Sequence, residues 1–82
     1  MKLLNLPPVK VGQYVRYKDQ YIWKCISVSL SRHNVWMIKG NVAVSLGHSW
    51  QVGMPIEGFW YADHDRVLTE EEANEAIERA TV

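Results

Sequence analysis

The side chains best suited to metal or acid–base chemistry are three histidines, the single cysteine and the carboxylates. The tightest group is Asp63-His64-Asp65, which brings two carboxylates and an imidazole together. Neither an i, i+4 histidine pair nor a Cys-x-x-Cys pair occurs, and those are the spacings that hold a metal locally. The sequence therefore predicts no metal site and no cofactor, and it places residues 63–65 in a polar surface turn.

Ser49 is the candidate nucleophile, because "VAVSLGHSWQVG" resembles the strand and Gly-x-Ser-x-Gly turn of the α/β-hydrolases. Gln51 stands where that turn needs its second glycine, and 82 residues cannot hold the large parallel sheet. Glu71, Glu75 and Glu78 follow one side of a predicted acidic helix and have the pattern of solvated charges. The sequence therefore predicts no catalytic residues and a protein that is not an enzyme.

The length and composition predict a single domain over residues 1–82 with a thin hydrophobic core. Four tryptophans and four tyrosines supply much of the apolar surface that such a core needs. Cys25 has no partner for an internal disulfide, and Pro7-Pro8 interrupts the apolar start of the chain. We therefore expect a cytoplasmic protein with no membrane partner.

The charge is strongly segregated although the net charge is zero. Residues 1–56 contain seven basic side chains and one acidic one, whereas residues 57–82 contain two basic and eight acidic ones. This pattern predicts a basic body followed by an acidic tail, and a solvated helix that aids solubility explains the tail equally well.

Alternating apolar residues and turn signals predict a chain of short strands. Gly40-Asn41 lies between two apolar runs and predicts a two-residue hairpin loop, because both residues tolerate positive φ. "GMPIEG", residues 53–58, has the Gly and Pro content of a loop. The predicted strands are 13–18, 21–30, 35–39, 42–46 and 59–62, and residues 50–52 and 66–68 are candidates for brief further pairing.

The end of the sequence predicts one helix. Thr69 followed by Glu72 forms a capping box, and small apolar residues then recur at helical spacing. The predicted organisation is an extended lead-in over 1–12, a β-rich body over 13–68 and an acidic helix over 69–80. The fold class is mainly β (α+β), with five or six short antiparallel strands and one C-terminal helix.

The segment "KVGQYVRYKDQYIWKCISVS" resembles the opening of an SH3-like small β-barrel, in which a glycine precedes a strand, a polar turn and a long bent strand. The resemblance is one of architecture, spans about residues 10–62, and implies a barrel. The chain also resembles, in general character, small accessory proteins of phages and mobile elements. That resemblance implies a regulator or inhibitor that docks on a larger host protein or nucleic-acid-processing complex.

The turn after Lys18 decides which side chains face the core. An even turn with Asp19-Gln20 at its tip places Trp23 opposite Arg16 on an outer face. An odd turn places Trp23 in the core with Val15 and Tyr17. Gln20 is a poor choice for the left-handed last position of a three-residue loop, which favours the even turn.

The even register predicts an exposed aromatic and basic face that binds a protein partner, since Trp, Tyr and Arg dominate binding hot spots. Its alternative is that these aromatics pack beneath the helix or residues 53–58. Nucleic-acid binding is a second function, with bases stacking on the aromatics, and a self-associating structural subunit, forming homo-oligomers, is a third. The predicted partner-binding residues are Tyr14, Arg16, Lys18, Tyr21, Trp23 and Trp36.

Overall fold

The computed structural model describes residues 6–47, 49–61, 63 and 65–80. They form five strands and one helix: β1 Tyr14–Tyr17, β2 Tyr21–Leu30, β3 Trp36–Ser45, β4 Pro55–Phe59, β5 Asp65–Val67 and α1 Glu70–Ala80. The strands form one antiparallel sheet in the order β4-β3-β2-β1-β5. The predicted class, mainly β with a C-terminal helix, is confirmed.

The predicted hairpin at Gly40-Asn41 is wrong, because β3 runs straight through both residues. The turn lies earlier, at residues 31–35, where Ser31 N–H donates to the Val35 carbonyl and Asn34 adopts a φ of 60°. The Ser31 hydroxyl also accepts the N–H groups of His33 and Val35. Side-chain hydrogen bonding by serine and a left-handed asparagine therefore make this turn.

Gly40 has a packing role in the middle of β3. A Cβ at this position would lie 2.7 Å from Cε3 of Trp23 and still closer to the Lys24 carbonyl oxygen. A glycine inside a strand often marks such a close approach. The residue type that predicted a turn instead allows the Trp23 ring to lie against the sheet.

The β1–β2 turn is odd, so the even register is wrong. Tyr17 pairs with Tyr21 and Val15 pairs with Trp23 across a three-residue loop. Lys18 is the left-handed residue, with a φ of 49°. The Gln20 carbonyl accepts Leu46 N–H at 2.9 Å, and the Gln20 side chain accepts Trp50 Nε1–H at 3.0 Å.

The Arg16 side chain also stabilises this turn, through two hydrogen bonds. Its Nε donates to the Lys18 carbonyl at 2.9 Å, and its Nη2 donates to Asp19 Oδ1 at 2.8 Å. These tertiary and side-chain bonds offset the poor local fit of Lys-Asp-Gln to a three-residue loop. The predicted contact of Arg16 with Trp23 is excluded, because the two side chains lie on opposite faces of the sheet.

Two irregularities in the β2–β3 ladder divide its side chains between two apolar layers. The first lies between Ile22 and Trp23, which pair with Val44 and Val42. Because one residue of β3 is skipped here, each valine faces the same side of the sheet as its own partner. Val44 lies beside Ile22 on one face, and Val42 lies beside Trp23 on the other. Two neighbouring strands can therefore contribute to packing on both faces of the sheet.

The inner cluster fills the concave face of the sheet. Tyr17, Val28, Trp50, Met54, Ile56, Trp60 and Val67 pack around its buried members. Because residues of both edge strands, β4 and β5, contact this one cluster, the sheet curves around it. Its buried members are Val9, Val15, Tyr21, Trp23, Cys25, Ile38 and Val42.

The helix-side cluster lies on the opposite face and joins α1 to the sheet. Ala73 of α1 is buried against Ile22, Val44 and Leu68, and Ala76 and Ile77 complete the contact. The small side chains of the helix allow it to lie close to the sheet. This shallow contact matches the predicted stripe of small residues.

The helix starts at the predicted capping box. Thr69 Oγ1 accepts Glu72 N–H at 3.1 Å, and Glu72 Oε1 accepts Thr69 N–H at 3.0 Å. The bond from Thr69, with further help from Arg66, lowers the pKa of the Glu72 carboxyl. The contribution of this carboxylate to stability is therefore present above its unfolded-state pKa and is lost as the pH falls through its lower folded-state pKa.

Replacement of Thr69 by alanine removes one half of this box. We expect the free energy of unfolding to fall by about 1 kcal/mol, the usual cost of losing a capping hydroxyl. Urea denaturation measures the change, and Thr69→Ser is the matched control that keeps the oxygen. Equal losses in both variants would show that the methyl group, and not the capping oxygen, stabilises the helix.

The later strands differ from the prediction. Residues 50–52 form no strand, and "GMPIEG", predicted as a loop, contains most of β4. Predicted strands 59–62 and 66–68 shift to Pro55–Phe59 and Asp65–Val67, and Ala62 lies outside the described residues. Pro55 fits a strand here because it starts an edge strand, where the missing N–H breaks no bond of the ladder. The described part of the chain contains no helix with the length and apolar composition of a membrane span.

Candidate binding site: a cleft between the two edge strands

The hydrogen-bond alternation in β4 leaves one side of this strand open. Trp60 N–H donates to the Trp36 carbonyl at 2.9 Å, just beyond the last pair of the β3–β4 ladder. Because bonded and non-bonded pairs alternate in an antiparallel ladder, Ile56 and Gly58 bond to β3. The intervening residues direct their main-chain groups away from β3: Pro55, Glu57 and Phe59.

The same alternation leaves β5 with an open side. Leu68 N–H donates to the Tyr14 carbonyl at 2.9 Å, so Arg66 is the next residue of β5 that bonds to β1. The main-chain groups of Asp65 and Val67 therefore point away from β1. Among the described residues, no β-ladder pairs β5 with β4.

Tyr61 and Asp65 connect the two open sides at one end. Asp65 N–H donates to the Tyr61 carbonyl at 2.8 Å, and Tyr61 N–H donates to Asp65 Oδ2 at 2.9 Å. The carboxylate of Asp65 thus takes a place that a main-chain carbonyl would take in a regular hairpin. Beyond this link the ladder does not continue, so the curved sheet is left open between β4 and β5.

This opening is a cleft of about 280 Å³, here called the edge cleft. Gly58 faces the same side as its ladder partner, the core residue Ile38, and a Cβ on Gly58 would meet no heavy atom within 4 Å. The missing side chain therefore leaves space at the centre of the cleft. Its lining residues are Tyr17, Tyr21, Trp23, Ile38, Ile56, Glu57, Gly58, Phe59, Tyr61 and Asp65.

The walls of the edge cleft are aromatic and its charges are acidic. Tyr17 and Tyr21 stack with their ring centroids 5.2 Å apart, and Phe59 and Tyr61 remain 46% and 55% exposed. Burial raises the pKa of Tyr21, and the neighbouring Tyr17 and Asp65 raise it further. Tyr21 therefore stays a neutral hydroxyl well above physiological pH. The arrangement suits an apolar ligand that carries a positive charge.

The six residues of the predicted partner-binding face lie in three places, so their shared exposed face is wrong. Tyr21 and Trp23 are 7% and 1% exposed within the inner cluster, as in the alternative of packing against residues 53–58. Trp36 pairs with Leu30 at the far end of the β2–β3 hairpin. Whether any of the six contacts a partner stays a prediction.

The remaining three residues lie near the β1–β2 turn or on the helix side of the sheet. Lys18 lies in the turn itself, and Tyr14 and Arg16 lie in β1 on the helix side. Tyr14 packs on the helix-side cluster, with Lys24 Nζ 5.8 Å from its ring centroid. Lys18 is exposed, with its Nζ 5.7 Å from the Tyr17 ring centroid. Arg16 and Lys24 thus lie on the helix side of the sheet, whereas Lys18 contacts Tyr17, a residue that lines the cleft.

Arg16 also belongs to a group of charged side chains that lies between the sheet and α1. It lies directly opposite Arg66 in the β1–β5 ladder, and like charges in that position repel. Asp19 contacts Arg16 at 2.8 Å and Glu72 contacts Arg66 at 3.3 Å, which offsets the repulsion. Exposed pairs of this kind contribute about 0–1 kcal/mol each.

Within the described residues, the side chains considered for catalysis or metal binding do not come together in a site. No group of three His, Cys, Asp or Glu side chains there could hold an ion. His48 and His64 lie outside the described residues. Cys25 is fully buried, and burial raises the pKa of its thiol. Ser49 is exposed in the turn that follows Ser45.

The chain gives no significant match to a known protein family, to a curated protein or to a solved structure. Its function is therefore argued from the geometry of the edge cleft.

Of the residues that line the edge cleft, the sequence predicted only Tyr21 and Trp23 as binding residues, and Gly58, Phe59 and Tyr61 are among those it missed. The sequence predicts Gly58 in a loop and the two aromatic residues in a strand over 59–62. The available signal was Pro55 at the start of an apolar run, because proline inside a sheet indicates an edge strand. An edge strand exposes one side of its backbone and the side chains beside it.

Proposed function

We propose that this protein is a non-enzymatic protein-binding module that holds an apolar segment of a larger protein in the edge cleft. The space at Gly58 carries the proposal, because an inward-facing position without a side chain leaves open space in a cleft lined by Tyr17, Tyr21 and Trp23. Concave, mainly apolar sites with a few polar groups are the usual form of binding pockets.

The exposed aromatic pair gives the edge cleft its binding energy. Phe59 and Tyr61 can each bury further apolar surface on a partner, at about 25 cal/mol per Å². Both lie in ordered backbone, since Phe59 lies between Gly58 and Trp60, which bond to β3, and Tyr61 bonds to Asp65. Such preorganised aromatics lose little conformational freedom on binding.

The strand order supports an SH3-like architecture for this module. The first strand lies between the second and the fifth, and the sheet curves around one core while remaining open between β4 and β5. Within the proposal, the protein is a small cytoplasmic regulator or inhibitor of the kind found in phages. Its target is then a larger host protein or a nucleic-acid-processing complex.

Filling the edge cleft tests the function. A displayed library of random 12-residue peptides is selected on the wild-type protein, and selected peptides are titrated by fluorescence anisotropy. We expect Gly58→Val to weaken their binding at least tenfold, because the new side chain occupies the cavity while β4 tolerates valine. Thermal unfolding should show that the variant is as stable as the wild-type protein.

The matched control is Val52→Ala, which trims a side chain that is 69% exposed in the turn before β4 and outside the cleft lining. It should leave peptide affinity unchanged. Selected peptides that bind Gly58→Val as tightly as wild type would place the binding surface elsewhere. A selection that enriches no peptide would count against the module itself.

Nucleic-acid binding and self-association remain the alternatives. Lys24 and Lys39 are exposed on the outer face of the sheet, although Lys39 contacts Glu57 at 3.5 Å. Binding of single-stranded DNA that weakens steeply with added salt would favour nucleic acid. Sedimentation that depends on protein concentration would favour self-association through an edge strand.

A further inference from the structure

The structure assigns a binding mode to the edge cleft: we propose that the partner enters as an extended strand that pairs with the open side of β4, with an apolar side chain opposite Gly58 and a basic one opposite Glu57. This inference rests on the proposed function and names the chemistry of its ligand. It follows from the main-chain groups of β4 and from the alternation of side chains along a strand.

The first support is the set of main-chain groups on the open side of β4. The N–H and C=O groups of Glu57 and Phe59, with the carbonyl of Pro55, point away from β3. No hydrogen bond occupies them within the described part of the chain. A row of this kind is a template for a further strand, and edge pairing by extended peptides is a recurring mode of recognition.

The second support is the position of Phe59 and Val67, each of which lies two residues from the linked pair Tyr61 and Asp65. If β4 and β5 formed a regular hairpin from that link, Phe59 would pair with Val67. Instead β4 pairs only with β3 and β5 only with β1 among the described strands. The missing pairing leaves the open side of β4 beside the aromatic cavity, so an added strand would also cover Tyr17 and Tyr21.

Strand periodicity defines the side chains of the partner. A partner residue directly opposite Gly58 points toward the inner cluster, and one opposite Glu57 points to the outer face. The first meets the empty position at Gly58 and should be apolar. The second meets the Glu57 carboxylate, which contacts Lys39 at 3.5 Å in an exposed pair. Because both charged residues that line the described cleft, Glu57 and Asp65, are acidic, charge complementarity favours a basic residue.

A second copy of this chain fits the open side of β4 less well. Antiparallel pairing of β4 with itself, centred on Glu57, would place two carboxylates opposite each other. The same pairing would set Phe59 against Pro55, which has no N–H to donate. These features favour a different chain with a basic, alternating strand.

The test uses a capped seven-residue peptide in which lysine alternates with valine, titrated into the isotopically labelled protein and followed by NMR. We expect amide exchange of Glu57 and Phe59 to slow at least tenfold as the peptide saturates the protein. In antiparallel pairing the lysine amides face β4 when valine points inward, so their methylation should abolish this protection. Methylation of the valine amides is the matched control and should largely preserve it.

The outcomes separate the binding mode from the function. Shifts of Tyr17 and Tyr61 without protection of the Phe59 amide would overturn strand pairing and leave cleft binding intact. The same holds if both methylated peptides bind equally. If this peptide does not bind while selected peptides are blocked by Gly58→Val, the assigned ligand chemistry is wrong. Protection that grows with protein concentration alone would identify a second copy as the occupant.

Discussion

Replacement of Trp23 by alanine is expected to lower the free energy of unfolding by about 3–5 kcal/mol. Trp23 is 1% exposed and is the largest fully buried side chain of the inner cluster, where it lies against Gly40. Domains of this size have total stabilities of only about 5–15 kcal/mol, so the loss is a large share of the total. We expect the variant to be partly or fully unfolded at 37 °C.

Guanidinium denaturation followed by circular dichroism measures this effect. Trp36→Ala is the matched control, because it removes the same side chain from a half-buried position at the far end of the hairpin. We expect Trp36→Ala to cost clearly less than Trp23→Ala. A larger loss of unfolding free energy for Trp36→Ala than for Trp23→Ala would contradict the odd register and indicate that Trp23 lies on the surface.

The second large effect is expected at Gly40, where replacement by alanine should cost about 2–3 kcal/mol. The added methyl group would overlap the Lys24 carbonyl oxygen and lie 2.7 Å from Trp23 Cε3. Relief requires β2 and β3 to separate locally or the Trp23 ring to move, and both disturb the inner cluster. Urea denaturation of the variant measures the loss.

Gly58→Ala is the control for the Gly40 prediction. Both glycines face inward, on adjacent strands, but a Cβ on Gly58 meets no heavy atom within 4 Å. Gly58→Ala should therefore be neutral or stabilising by about 0.4–1 kcal/mol, since alanine restricts the unfolded chain. Equal losses at the two positions would mean that overlap with Trp23 and Lys24 is not the cause.

The parts of the fold that depend on local chemistry were predictable. Strand β2 matches its predicted range, residues 21–30, and the capping box at Thr69 and Glu72 starts α1 as expected. In both cases the determining residues are close together in the sequence. For these elements, side-chain type and spacing are therefore sufficient to predict the structure.

The register of β1 and β2 was not predictable in the same way. Lys18-Asp19-Gln20 is a poor three-residue loop by local preference, and the odd turn depends on Leu46 and Trp50, which contact Gln20 from a distant segment. Because register decides which face each side chain occupies, this one error placed Trp23 on the surface.

The glycines show the limit of sequence reasoning about the edge cleft. Gly40 predicted a hairpin turn and Gly58 a loop, and both lie inside strands. One makes room for a tryptophan ring and the other leaves a cavity. The sequence alone does not distinguish a glycine that is crowded from one that faces empty space, because the neighbours that decide this come from other strands.

The position of β1 between β2 and β5 has a consequence for synthesis on the ribosome. Val15 pairs with Val67, so β1 keeps an open side until the last strand has left the exit tunnel. Contacts between residues so distant in sequence form slowly. The nascent protein therefore exposes the open side of β1 until β5 has emerged, and we expect the sheet to be completed only then.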